Sequence, residues 1–198
     1  IDQTILSFKG QTQGAEGIKV SNCENIVIEN MTTEDSKGDL IKTMNVKGIT
    51  FRKIKAAWTG KPKATNGSYA LYPVLCENVL IDSCIAIGAS DAGIYVGQSK
   101  NIIVRNSEAY QNVAGIEIEN SRHSIVENNK VYNNTGGILA FITPGLPIKT
   151  TFDVIIRNNF ITDNNHPNFG APGSIVSGVP AGTGIISKHA QQIRRSSW

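Results

Sequence analysis

An all-β solenoid, a single-stranded parallel β-helix with about 22–23 residues per coil and loop excursions, is the fold this sequence predicts. Three observations carry the prediction. First, Gly93-Ile94-Tyr95-Val96, Gly115-Ile116-Glu117-Ile118 and Gly137-Ile138-Leu139-Ala140 recur every 22 residues, and Gly17-Ile18-Lys19-Val20 joins the set. Self-similarity at such a fixed period marks a repeat architecture. Second, Ile and Val together number 40 against only 7 Leu, with 19 Asn and 19 Gly. β-Branched residues suit pleated strands, and so few Leu cannot populate leucine-rich repeats. Third, short alternating apolar runs are separated by Asn and Gly, as strands are by turns.

The elements follow in order along the chain. A second strand series trails the first by eight residues: Asn25-Ile26-Val27-Ile28-Glu29-Asn30, then Asn78-Val79-Leu80-Ile81, Asn101-Ile102-Ile103-Val104 and Asp153-Val154-Ile155-Ile156. Coil starts therefore fall at Ile18, Ile41, Leu71, Ile94 and Ile116, spaced 23, 30, 23 and 22 residues apart. The long interval contains residues 59–68 (TGKPKATNGS), a loop that leaves the register undisturbed. Asn22, Asn45, Gln98 and Asn120 align at one corner, with Leu75 as the exception. Asn30, Ser83, Asn106, Asn128 and Asn158 align at the next, with Lys53 as the exception. Asn tolerates left-handed turns, and its amide can bond the same amide on the next coil. Cys23, Val46, Cys76, Ser99 and Ser121 form an inward column of small residues. Cys23 and Cys76 stand two coils apart, roughly 10 Å on the spacing of stacked strands, too far for a disulfide. His123 falls in a turn column shared with Asn78 and Asn101, and no histidine pair has the spacing of a zinc site.

Charge narrows the function. The net charge is +3, and Lys188, Arg194 and Arg195 in the last eleven residues account for all of it. Residues 1–187 form the predicted β-helix domain, and 188–198 read as a divergent basic tail. With no basic stripe on the body, no nucleic-acid partner is expected. No apolar run approaches the ~20 residues of a spanning helix, so no membrane span is expected. The first residues lack the charged start and apolar stretch of a signal peptide.

Residues 88–106 (GASDAGIYVGQSKNIIVRN), 112–121 (NVAGIEIENS), 133–141 (NNTGGILAF) and 179–184 (VPAGTG) carry a resemblance. They resemble bacterial secreted right-handed parallel β-helix repeat proteins, in the pectate-lyase-like group that includes NosD-like proteins and mannuronan epimerases. The resemblance covers about residues 4–186. It implies a right-handed coil and a secreted or periplasmic location. The chain departs from that group's motifs: it lacks the Asp-Pro-His-Asp of alginate epimerases, the clustered carboxylates of pectate lyases and the Gly-His-Gly of polygalacturonases.

Chemistry on a β-helix belongs to outward strand faces and loops. The outward position of the first strand series reads Lys19, Lys42, Tyr72, Tyr95, Glu117 and Leu139, successive members ~5 Å apart. An extended glycan fits along such a column. For elimination or epimerisation of a uronate, Lys42 or Lys19 would neutralise the carboxylate and Tyr72 or Tyr95 would act as base or acid. Asp91 and Asp39 sit at the edges of the same face, to orient a hydroxyl or to hold Ca²⁺ as a cofactor. The expected catalytic set is thus Tyr72, Tyr95, Lys42 and Asp91, with Lys19, Glu117 and Asp39 binding substrate. For inverting hydrolysis the best available pair is Asp91 with Glu117. Residues 59–68, 143–151 and 163–182 are excursions that could wall a cleft. Three roles stay open: an enzyme on acidic polysaccharide, a non-catalytic carbohydrate-binding module, and a scaffold that self-associates end to end through its open coil edges.

Overall fold

A computed structural model of the chain describes residues 4–188, and its 16 strands, all paired in parallel, curl into one continuous sheet. Strand β1 (Thr4–Ser7) lies against the end of β2 (Ile18–Glu34), which with β3 (Ile41–Ala57) makes the first two full coils. The next coils each divide into three strands. These are β4 (Tyr69–Val74), β5 (Glu77–Asp82) and β6 (Ile85–Ile87), then β7 (Ala92–Gly97), β8 (Lys100–Arg105) and β9 (Glu108–Tyr110). After them come β10 (Ala114–Glu119), β11 (Arg122–Glu127) and β12 (Lys130–Tyr132), then β13 (Gly136–Phe141), β14 (Phe152–Arg157) and β15 (Phe160–Thr162). Strand β16 (Thr183–Lys188) opens a further turn. Lys188, read from the sequence as the start of the tail, is thus a strand residue, the last among the described residues, and pairs with Phe141. Residues 189–198 lie outside the described residues, and the reading of them as a divergent tail lies there with them.

The register is the one the repeat predicts. Ile18, Ile41, Leu71, Ile94, Ile116, Ile138 and Ile185 stack in one file. This file runs along the interior, where Ile41, Leu71, Ile94, Ile116 and Ile138 are fully buried. Both corner columns hold left-handed backbone throughout. Leu75 and Lys53 adopt φ of 55° and 51° like the rest of their columns. Stacking therefore imposes the corner even on Leu75, whose side chain disfavours it by about 1–2 kcal/mol. Exposed amides bond from coil to coil as expected, Asn45 to Asn22 at 3.2 Å and Asn101 to Asn78 at 3.0 Å.

A second amide system was not expected from the sequence. Asn112, Asn134 and Asn164 point inward and are buried, as does Asn129 with the half-buried Asn159. They bond one another and the main chain of neighbouring coils. The repeated glycines make room for this ladder. A Cβ on Gly93 would lie 2.6 Å from the Asn112 amide, and one on Gly137 would lie 2.3 Å from the Gly184 carbonyl. Glycine recurs here because backbone and amide approach closely, with no need for a special φ. The small-residue column carries hydroxyl bonds: Cys76 N–H donates to Ser99 Oγ, and Ser99 N–H donates to Ser121 Oγ. All three cysteines are free, and burial pushes the Cys84 thiol up to about 11.

The excursions separate by face. Residues 59–68 stay at a corner, tied by Thr59 to Asp35 and by Asn66 to the Gly88 carbonyl. Residues 142–151 and 163–182, the latter with a short 3-10 turn at Ile175–Gly178, fold over the outer face of β10 and β13. Among the described residues no helix is long and apolar enough to cross a membrane.

Candidate functional site

Lys19, Lys42, Tyr72, Tyr95, Glu117 and Leu139 do stack on the outer face of the first strand series, and Ile186 extends the file. Only its first half is open. Lys19 is exposed and Lys42 and Tyr72 are half-buried, whereas Tyr95, Glu117 and Leu139 retain 4%, 1% and 2% of their surface. Glu117, expected as a surface contact to substrate, is instead an interior carboxyl beneath two loops.

Three tyrosines build the centre of the face. Tyr69 lies against Tyr72 and Tyr95 with centroids 4.4 and 4.5 Å apart, and Tyr72 meets Tyr95 edge-on at 4.9 Å. Lys42 Nζ sits 4.7 Å over the Tyr72 ring. Its charge is also taken up by Glu16 at 3.6 Å and Asp39 at 3.9 Å, while Lys19 stands 3.9 Å from the same Glu16. Lys42 is therefore an ion-paired group on an acidic face and does not stand free to meet a carboxylate.

Carboxyls ring the tyrosines. Asp39 accepts the Tyr69 N–H at 3.2 Å, and burial raises it to about 6 against the opposing pull of Lys42. Asp91 accepts the Tyr69 hydroxyl at 3.3 Å, its other oxygen has no partner, and burial pushes it up to about 7. Burial raises Glu117 well above the usual carboxylate range, and the nearby Asp91 and Glu119 raise it further. Its Oε1 also lacks a hydrogen-bond partner. Glu119 receives hydrogen bonds from the hydroxyls of Tyr95 and Thr143. Burial and these carboxylates lift Tyr72 to about 12, and Tyr69 and Tyr95 higher still. At neutral pH the tyrosines are phenols that donate and stack. The role of base expected of Tyr72 or Tyr95 does not match this state.

The face thus gathers Tyr72, Tyr95, Lys42, Asp91, Asp39 and Glu117, with Lys19 at its rim. Sequence reading missed Tyr69, Glu119 and Thr143. Glu119 was within reach of the period-two rule, since residues two apart on a strand share a face. Gly97 was missed as well: a Cβ there would lie 2.1 Å from the Tyr95 hydroxyl. Gly97→Ala is expected to turn the Tyr95 ring away from Glu119 and to cost about 1–3 kcal/mol. A denaturation midpoint unchanged from the parent would show that the ring has another resting place.

Beyond the tyrosines, the loops wall a half-open cavity of about 410 Å³ with Glu117 in its lining. Among the described residues no three His, Cys, Asp or Glu side chains are grouped to hold a metal ion. The arrangement offers aromatic rings, hydrogen-bond donors and two carboxyls, Asp91 and Glu117, that burial holds above the usual carboxylate range.

No curated protein matches this chain. Residues 2–142 and 63–185 match the model of a family described as the right handed beta helix region. With the coil register and these two matches together, the chain belongs to the right-handed β-helix family.

Proposed function

We propose that this protein binds a neutral polysaccharide along its tyrosine face and hydrolyses it, with Glu117 as general acid and Asp91 as base. The observation that carries the reading is the placement of the buried Glu117 and the half-buried Asp91 on adjacent coils, beside the half-buried rings of Tyr69 and Tyr72. Glu117 would give its proton to the glycosidic oxygen as the bond from that oxygen to the anomeric carbon breaks. Asp91, as carboxylate, would take a proton from the water whose oxygen bonds to that carbon. Asp39, Lys42 and Lys19 would meet sugar hydroxyls at the open end. A polymer of this kind accords with a secreted or periplasmic location.

A neutral chain suits the face better than an acidic one, because the carboxyls outnumber the cations and Lys42 is already paired. Uronate elimination or epimerisation would need a free cation and a tyrosine that ionises readily. A second reading, a non-catalytic carbohydrate-binding module, is favoured by the tyrosine platform itself, since stacking alone can hold a sugar ring.

The test is a screen of xylan, mannan, starch and cellulose beside alginate and pectate, each with and without Ca²⁺. New reducing ends from a neutral polymer, independent of Ca²⁺, are expected. Binding without any product would leave the module reading. Ultraviolet absorbance rising on a uronate polymer would replace hydrolysis by elimination.

A further inference from the structure

The cavity beside Glu117 has a one-sided chemistry. Leu139 and Ile186 line it from the strands, Phe141 and Pro144 from the end of β13 and the loop after it, and Val176 and Val179 from the longer excursion. The Thr143 hydroxyl at its edge is engaged with Glu119. That leaves Glu117, 1% exposed, in an otherwise largely apolar lining, its Oε1 buried and without a hydrogen-bond partner. A buried oxygen without a partner is costly, and apolar walls of this kind cannot supply one. A ligand can. At about 410 Å³ the space falls in the range of small-molecule sites.

We propose that this cavity receives an apolar group of the substrate, an alkyl, aryl or acyl unit joined through an oxygen that bonds to the Glu117 carboxyl. The inference rests on the glycan reading above and deepens it: the sugar lies on the tyrosines, and the apolar group enters beneath the two loops. Glu117 stands where the two parts join, so the substrate is a glycan bearing an apolar substituent.

The probes are methyl and hexyl glycosides of glucose, galactose and mannose, with 1-hexanol as the sugar-free control, titrated by calorimetry. Each buried methylene strengthens binding about threefold to fourfold. A hexyl glycoside is therefore expected to bind at least ~10-fold more tightly than its methyl partner. Gly178 lines the cavity, and a Cβ there meets nothing within 4 Å, so Gly178→Phe fills the space without a clash at its first atom. In that variant the hexyl preference is expected to fall within about twofold while methyl glycosides bind as before. Equal binding of hexyl and methyl glycosides to the parent protein overturns the inference, as does a preference that survives Gly178→Phe. Binding of 1-hexanol as tight as that of the hexyl glycosides supports the cavity and removes the sugar face, which separates the two failures.

Discussion

Glu117→Gln is expected to lower polymer cleavage by about 10²- to 10⁴-fold, the usual worth of a positioned general acid, and to leave a protein more stable at pH 8 than its parent. Gln keeps the shape of the side chain and its bonding oxygen but has no proton to give. The stability gain follows from linkage. Burial holds the Glu117 pKa above its unfolded value, so the folded chain binds a proton that the unfolded chain has released. Its stabilising share is complete below the unfolded value near 4.5 and is lost as pH rises toward the folded value. Gln does not titrate. The two proteins should therefore melt alike near pH 4 and diverge as pH rises, by about 1.4 kcal/mol per pH unit within that window. Melting curves from pH 4 to 9 read this directly. A difference that stays flat with pH would mean that Glu117 ionises in the fold as it does in water.

The same pair shapes the activity profile. Cleavage requires Asp91 ionised and Glu117 protonated, so the rate should rise as pH passes about 7 and fall again where Glu117 releases its proton. These two limbs belong to the coupled pair, and removing Glu117 should also move the Asp91 limb.

Much of the fold was legible because a β-helix writes its period into the chain. The Gly-Ile repeats and their fixed offset of eight from the second strand series place the coil starts, and the two exceptions at the corners, Leu75 and Lys53, still hold φ above zero. Burial of the outer face was not legible. Glu117 alternates with Ile116 and Ile118 as any outward residue does, and only the course of residues 142–151 and 163–182 decides that it is covered. Repeat alignment says where a loop leaves and returns, never over which face it folds. The inner Asn ladder was hidden for a related reason. Asn133 and Asn134 are adjacent and chemically identical, yet Asn133 takes the exposed corner at φ 52° while Asn134 turns into the interior. Even so, the four segments that resemble β-helix repeat proteins meet at the site: they contain Asp91, Tyr95, Glu117, Glu119, Leu139 and Val179.

Asn134→Ala should be the most destabilising single change in the coil framework, about 4 kcal/mol or a melting point lower by roughly 8–16 °C. Asn134 Oδ1 accepts the Asn112 main-chain N–H at 2.9 Å, and its Nδ2 donates to the carbonyls of Ala109 at 2.9 Å and Tyr132 at 3.1 Å. It also links to Asn164 at 2.9 Å. Alanine strips three main-chain groups of a partner in a place with no exposed surface, each at about 1–3 kcal/mol less whatever water recovers. Asn101→Gly is the control, since glycine keeps the left-handed corner and only an exposed amide bond is lost. It should cost no more than about 1 kcal/mol. Equal melting of the two variants would reduce the inner ladder to filler. The ladder matters to the site because of where it lies: Asn112 stands two residues before β10, and Asn134 two residues before β13. These amides fix the start of the strands that carry Glu117 and Leu139, so loosening them should disturb the cavity before the tyrosine face. In Asn134→Ala, hexyl glycosides should lose their advantage over methyl glycosides at temperatures well below unfolding.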